Sequence, residues 1–296
     1  VLRRLAIVIL PLSVLFIKYY PELGRMYHMG SPLYTGVATH KSGLGQICMI
    51  TGIGFLWSLL YRWREEMEKG GLPRVFVNVL LLLVIAWLFY MADSATSLTC
   101  LLVVMGFFLV GKVPAVAGRP VTFIWSGVII VALLGVMDFT LGISDAIIAL
   151  LGRSRDLTTR VPMWEMLLNM DTNPLIGVGY ESFWFGERLS RLWAKFPFIQ
   201  AHNGYLELYL NVGLVGLSFM LLTIANGFVR TIPRLEYDYA NSLLRIAFVV
   251  VCVLYNWTEA AIKPVSNVFI ILLLGIMVIS HPSETDSDGA YVGSHE

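Results

Sequence analysis

The chain has 296 residues, of which 57% are hydrophobic and only 14% are charged, whereas ordinary globular chains carry about 25% charged residues. That is too little charge to cover a water-facing surface of this size, and the mean hydropathy of +0.74 agrees. The composition therefore predicts an integral membrane protein. The 21 basic and 20 acidic residues nearly cancel, which excludes a generally basic nucleic-acid-binding protein.

Eight apolar runs are candidates for membrane-spanning helices, since a span needs about 20 mostly apolar residues. They cover residues 5–20, 45–61, 75–92, 97–111, 121–143, 205–229, 243–257 and 264–280. The first run is too long for the core of a signal peptide and lacks a small-residue cleavage pattern, so we count it as a span. The predicted fold is an all-α, polytopic transmembrane helical bundle of about eight spans.

The distribution of Lys and Arg predicts the orientation, because cytoplasmic loops carry an excess of both. With a cytoplasmic N-terminus, eleven of them fall in short inner segments and four in short outer loops. We therefore expect both termini in the cytoplasm. Residues 1–143 would form the N-terminal spans, 144–204 a long periplasmic loop between the fifth and sixth spans, 205–280 the C-terminal spans, and 281–296 a disordered cytoplasmic tail.

The predicted outer loop mixes charged and aromatic residues, and its apolar segments 143–151 and 163–168 are too short to span. We expect them to form short amphipathic helices that lie on the membrane or re-enter it. Long ordered loops are often functional. The alternative is a small external cap that is stabilised by aromatic packing at the level of the lipid headgroups.

The most informative motif is AHNGYLE, residues 201–207, where this loop meets a predicted span. Asn203 suits the N-cap of that helix, and the first-turn amides with the helix dipole attract anions. A neutral His202 could accept a proton from an attacking hydroxyl. Glu207 follows on an otherwise apolar helix, where a carboxylate without a partner is costly. The alternative is a capping Asn beside an interfacial His.

Two arginines, Arg153 and Arg160, bracket a short polar run ahead of a helix that Pro162 could begin. Guanidinium groups bind phosphate bidentately and keep their charge, so two of them suit a diphosphate. They could instead pair with Asp156 or Glu165, or contact lipid headgroups.

Further charged residues are predicted on the same side of the membrane. The loop 18–44 adds Arg25, His28, His40 and Lys41. Beyond the seventh span, Glu259 could orient a base or a substrate hydroxyl, although pairing with Lys263 one helical turn later is the simpler alternative. The sequence contains no HExxH, no Walker loop and no GxSxG elbow, and we expect neither a metal site nor a cofactor.

Four segments resemble, in order, the signature regions of the O-antigen ligase/polymerase superfamily of bacterial polytopic membrane proteins. They are GVATHKSGLGQ, LGRSRDLTTRVPMW, NPLIGVGYESF and AHNGYLELYLNVGLVGL, and the resemblance extends across roughly residues 20 to 260. It implies a metal-independent glycosyltransferase in the bacterial inner membrane. Such enzymes move a glycan from an undecaprenyl-diphosphate carrier to a lipid A core or a growing glycan at the periplasmic face. Members typically have ten or more spans, so we expect N-terminal spans beyond those in this chain.

The resemblance also implies roles for individual residues. Arg153 and Arg160 would hold the diphosphate, and His202 would be the general base that activates the acceptor hydroxyl. Candidates for binding substrate are Asn203, Glu207, Arg25, His40, Lys41 and Glu259. Three aromatic residues of the outer loop could stack on sugars or anchor the loop in headgroups: Phe183, Trp184 and Trp193. The main competing function is a transporter or flippase for lipid-linked glycans, in which the same charges would line a translocation path. A third possibility is a structural or scaffold subunit whose external cap only binds a partner.

Overall fold

The computed structural model describes residues 2–28, 30–68, 71–141, 160–196 and 198–277. The predictions for Arg153, for the segment 143–151 and for the tail 281–296 lie outside the described residues. The helices in chain order are α1 (Leu2–Tyr19), α2 (Pro21–Gly24), α3 (Lys41–Glu68), α4 (Leu72–Ala92), α5 (Ala95–Gly111), α6 (Pro114–Ala117), α7 (Pro120–Leu141), α8 (Arg160–Leu168), α9 (Gly186–Trp193), α10 (Gly204–Thr231), α11 (Tyr239–Thr258) and α12 (Asn267–Ile276).

Within the described ranges, four helices are long and apolar enough to cross a membrane: α3, α4, α10 with the turn that follows it, and α11. Three shorter apolar helices, α5, α7 and α12, accompany them. The chain is therefore a mostly helical, multi-pass membrane protein, as its composition predicts. The total of about eight spans stays a prediction.

Contacts between helix ends fall into two groups at opposite ends of the bundle. One group joins the hydroxyls of Tyr61 and Tyr239 to the carbonyls of Phe108 and Gly111. The other joins Thr96 to Thr258 and Lys41 to Asp93. We call this second end the outer end, because the sequence predicts that it faces the periplasm. Successive long helices thus run in alternating directions, which is the arrangement that short connections favour.

The outer loop 18–44 contains a β-hairpin that the all-α prediction did not include. β1 (Arg25–His28) pairs antiparallel with β2 (Ser31–Tyr34), in a register that sets Arg25 opposite Tyr34. Gly30 supplies the turn with a φ of +79°, a conformation that glycine adopts readily. Pro32 lacks an N–H, which a strand at the edge of a sheet tolerates. The all-α fold class holds for the chain, and this hairpin is a short local exception to it.

Helix α10 is broken at Gly213, although its sequence is a continuous apolar run. Gly213 has φ +67° and ψ −169°, a region that is essentially restricted to glycine. The break removes the helical partners of two N–H groups, and the N–H groups of Leu214 and Val215 donate instead to the carbonyls of Pro174 (2.9 Å) and Leu175 (3.0 Å). A loop from the outer region has therefore entered the backbone of a membrane helix.

The break also leaves two carbonyls without their helical donors, and the same loop, residues 174–179, donates to both. The N–H of Val178 donates to the Leu210 carbonyl (3.3 Å), and the N–H of Gly179 donates to the Asn211 carbonyl (2.9 Å). All four backbone groups at the break are thus paired, which non-helical backbone in a membrane protein requires. A Cβ at Gly177 would lie 2.4 Å from the Asn211 carbonyl carbon, so only glycine fits there.

The outer region has its own hydrophobic core, separate from that of the helical bundle. Helices α8 and α9 contribute Met163, Leu167 and Leu192, and the loop between them contributes Phe183 and Trp184. Phe183 and Trp184 are only 1% and 8% exposed, so neither stacks on a sugar nor anchors in headgroups. Both interpretations of these two side chains were wrong, because packing within this outer region buries them. We call this region, which comprises α8, α9 and the loop between them, the cap.

The break in α10 leads to a test. Gly213→Ala adds a Cβ that would lie 2.2 Å from the backbone of Leu175 and forces a strained φ. Backbone strain of this kind costs about 1–3 kcal/mol, which corresponds to a fall in Tm of roughly 2–5 °C. The matched control is Gly106→Ala in α5, where nothing lies within 4 Å of the added Cβ. Equal Tm values for the two variants in detergent would contradict the assigned role of the break.

Candidate functional site

His202 occupies the loop immediately before α10 in an unusual backbone conformation. Its φ of +49° lies in the left-handed region, which costs about 1–3 kcal/mol and is concentrated at functional sites. Its Nδ1 lies 3.4 Å from Gln200 Nε2 and 3.6 Å from Glu259 Oε2, and its ring packs edge-on against Phe198. The imidazole is 21% exposed, so three neighbours orient it while part of it remains open to a ligand.

Glu259 follows the last residue of α11 and faces His202. It adopts an extended conformation, with φ −139° and ψ 156°. Pairing with Lys263 one turn later was the simpler interpretation of the sequence. It is wrong because the helix ends at Thr258, and Lys263 Nζ lies instead 3.9 Å from Glu207 Oε1. At 3.6 Å from Nδ1, the Glu259 carboxylate is close enough to stabilise a positive charge on the imidazole.

Arg160 begins α8 and lies against the same end of α11. Its Nη1 donates to the Thr258 carbonyl at 3.0 Å, which uses one of the five N–H donors of a guanidinium. The Thr258 hydroxyl in turn bonds to the hydroxyl of Thr96, at the start of α5, at 3.1 Å. The cation is therefore held one residue away from Glu259, the partner of His202.

Asn203 is the N-cap of α10, as predicted from the sequence. Its Oδ1 accepts hydrogen bonds from the N–H groups of Tyr205 and Leu206, both at 3.0 Å. The next residue, Gly204, lies so close to α11 that an added Cβ would be 2.1 Å from Asn256 Oδ1. The glycine lets the start of α10 approach the end of α11, and this approach brings His202 to Glu259.

Glu207 is only 5% exposed and joins three segments of the chain. Trp184 Nε1, from the cap, donates to Oε1. The N–H of Ala201, in the loop before α10, donates to Oε2 at 2.8 Å, and Lys263, from the loop after α11, lies near Oε1. With both oxygens accepting hydrogen bonds from the protein, the carboxylate is arranged to position the loop that carries His202. Its predicted contact with substrate stays a prediction.

The remaining predicted cations lie apart from one another. Arg25 donates from Nε and Nη2 to the Ile17 carbonyl (3.0 and 2.7 Å), so it caps the end of α1. Lys41 Nζ lies 3.6 Å from Asp93 Oδ2 on one side of the start of α3. His40, the preceding residue, lines a cavity on the other side. Of these three, His40 is therefore the one that shares a cavity with Glu259.

This cavity, which we call the polar cavity, has a volume of about 570 Å³, within the range typical of small-ligand sites. It lies between the N-terminal part of α3, the loop after α11 and the start of α12. Its polar lining includes His40, Gln46, Gln200, Glu259, Lys263 and Asn267. Two of these, Gln200 and Glu259, are the groups that contact His202 Nδ1.

A second depression, the apolar groove, lies between α4 and α5 and beneath β2, with a volume of about 1020 Å³. Most of its lining is aliphatic or aromatic, and Lys41 and Asp93 stand at its outer end. Along α4 it extends from Asp93 to Leu82, a depth of roughly 16 Å at 1.5 Å per residue. That is about half of the 30 Å hydrocarbon thickness of a bilayer.

Sequence reasoning missed three residues that build the site. Thr258 supplies the carbonyl for Arg160, Gln200 contacts His202, and Trp184 binds Glu207. Gln200 and Thr258 each stand beside a residue that the sequence did predict, which is the signal that could have found them. Nothing in the sequence points from Trp184 to Glu207, because their pairing depends on how the cap folds.

The fold and the site together define a class: a polytopic helical membrane protein whose polar groups meet at one end of the bundle, beneath a small cap. A protein-family model described as "O-Antigen ligase" matches residues 80–221, a range that includes Arg160 and His202. The exopolysaccharide production protein ExoQ of Rhizobium meliloti (strain 1021) is 27% identical over 252 residues, which cover 78% of this chain.

The chain spans about half the length of that curated relative, 53% of it. Both matches agree with the resemblance of the chain's sequence motifs to the O-antigen ligase/polymerase superfamily.

The Glu207 network gives a second test. Glu207→Gln removes the charge that Lys263 faces and presents an amide NH₂ to an N–H donor. An unsatisfied buried donor costs about 1–3 kcal/mol, so we expect Tm to fall by roughly 2–5 °C. The matched control is Glu165→Gln on the exposed face of α8, which should leave Tm unchanged. A Glu207→Gln protein as stable as this control would rule out the proposed network.

Proposed function

We propose that this protein is a metal-independent membrane glycosyltransferase of the O-antigen ligase or polysaccharide polymerase type. It moves a glycan from an undecaprenyl-diphosphate carrier to a sugar hydroxyl of a lipid A core or a growing glycan, at the periplasmic face of the bacterial inner membrane. The observation that carries this proposal is the segment Thr258–Glu259. The Thr258 carbonyl binds Arg160 and the Glu259 carboxylate faces His202. Two adjacent residues therefore connect the proposed phosphate-binding cation to the proposed base.

The proposed reaction forms one bond and breaks one. The acceptor hydroxyl oxygen attacks the anomeric carbon of the donor sugar, and the bond between that carbon and the diphosphate oxygen breaks. The hydroxyl proton passes to Nε2 of His202, and Glu259 stabilises the resulting imidazolium at Nδ1. His202 is the catalytic base in this scheme, and Glu259 positions it.

Arg160 is the proposed clamp on the leaving group. Undecaprenyl diphosphate departs with additional negative charge on an oxygen, and a fixed guanidinium stabilises that charge without losing its proton. The hydrogen bond to the Thr258 carbonyl supports this role, because it holds the guanidinium in place before substrate arrives. Arg153, which the family resemblance pairs with Arg160, is proposed to bind the same diphosphate.

The apolar groove is proposed to hold the isoprenoid tail of the carrier. Its lining is apolar over roughly half the membrane thickness, and Lys41 stands at the outer end where a phosphate would emerge. Thr96, which bonds to the Thr258 segment, lies on α5 at the same end. A tail in the groove would thus bring its diphosphate towards Arg160.

His202→Ala should abolish glycan transfer, because the attacking hydroxyl loses its base. General-base catalysis is worth about 10²–10⁴-fold in rate, and we expect Glu259→Gln to cost roughly 10–100-fold. The measurement is product formation on gels, with the complete protein in liposomes, purified lipid-linked repeat unit as donor, and added lipid A core as acceptor or none. Glu187→Gln on exposed α9 is the control for Glu259.

Two outcomes of this assay would overturn the proposal. Retention of near wild-type transfer by His202→Ala would remove its role as the base. Glycan appearing across the bilayer without formation of a new glycosidic bond would favour the flippase that the sequence left open.

Arg160→Lys tests the clamp in the same assay. A point charge cannot reproduce the two-pronged contact of a guanidinium, so the rate should fall by about 10²-fold, nearly as far as for Arg160→Ala. Arg188→Lys, an exposed cap residue that binds the Asp171 carbonyl, should transfer at the wild-type rate. EDTA should leave wild-type activity unchanged. Full activity of Arg160→Lys, or loss of activity with EDTA, would refute clamping by fixed cations.

A further inference from the structure

The lining of the polar cavity differs chemically from the part of the site that contains Arg160 and Lys41. Beside the carboxylate of Glu259 and the ammonium of Lys263 it presents the side-chain amides of Gln46, Gln200 and Asn267. Lys263 faces the carboxylates of Glu181 and Glu207, so its positive charge is already offset. Each amide offers both donors and an acceptor, as a sugar hydroxyl does. Such a lining suits a neutral, polyhydroxylated ligand better than a phosphate.

The position of the polar cavity relative to the base indicates which ligand it takes. Gln200 and Glu259 belong to its lining and also contact His202 Nδ1. Arg160 and Lys41 lie outside the lining, on the side of Thr258 and Asp93. We infer that the polar cavity binds the acceptor saccharide beside His202. This inference rests on the proposed function and adds the location of the acceptor.

A buried hydroxyl on the cavity wall supports this assignment. The Oγ of Ser266 is inaccessible to solvent and makes no hydrogen bond within the described part of the chain, although Ser266 lines the cavity. It is the N-cap residue of α12, yet its side chain does not cap the helix. A buried polar atom without a partner is costly, and rotation of the Ser266 side chain towards the cavity would let it bond to a saccharide hydroxyl.

Saccharide binding can be measured without catalysis. The probe is the free oligosaccharide repeat unit, released by mild acid from the surface polysaccharide of the strain that carries this chain. It is titrated onto the complete protein in nanodiscs, and its Kd is obtained from saturation-transfer difference NMR. Ser266→Ala and Asn267→Ala each remove one hydrogen-bonding group, so each should raise Kd by roughly 5-fold. Neither the Ser266 hydroxyl nor the Asn267 amide makes a hydrogen bond within the described part of the chain, so neither variant should lower the Tm.

The matched control is Asn169→Ala on the exposed face of α8, which should bind the saccharide with the wild-type Kd. Unchanged Kd values for both cavity variants would overturn the assignment, as would full displacement of the saccharide by inorganic diphosphate. If the protein still transfers glycan, either result refutes only the assignment of the polar cavity to the acceptor saccharide. Absence of transfer by the wild-type protein, with Kd raised by the cavity variants, refutes the proposed function and leaves the binding site standing.

Discussion

The exchange of backbone hydrogen bonds between α10 and the 174–179 loop is the constraint on which the site depends. In an unbroken helix, the four N–H and C=O groups around Gly213 would pair with each other. Here each pairs with the loop, so the cap and the membrane helix share one backbone network. The segment of α10 before Gly213 can then run in a different direction from the segment after it. His202, Asn203 and Glu207 all lie on or beside that segment.

Polar side chains then connect the outer segment to its neighbours. Glu207 ties it to the cap and to the loop after α11, while Asn256 accepts the N–H of Ala261 (2.8 Å) and so shapes that loop. Buried polar groups of this kind specify a geometry when they are fully paired. The strained backbone of His202 persists because these contacts on both sides hold it. These contacts therefore hold the His202 side chain in place without any ligand.

The sequence predicted the features that depend on local chemistry and missed those that depend on distant contacts. The N-cap at Asn203 was predictable because capping involves only the next three residues. The pairing of His202 with Glu259 was not, since it requires α10 and α11 to meet. Gly213 lies in an apolar run that predicts an uninterrupted helix. The break depends on the inserted loop, which the sequence around Gly213 does not indicate. The orientation in the membrane, the number of spans and the roles of the site residues remain predictions.

The apolar groove lies along α4 and α5, whereas the polar cavity lies at the outer end of the bundle. If a lipid carrier uses the groove, it reaches the site by diffusing within the plane of the membrane, and its tail never enters water. A hydrophilic glycan can arrive from the aqueous side by a different path. Two substrates of opposite solubility would then meet without crossing, and the spent carrier could drift away while a long product stays in place.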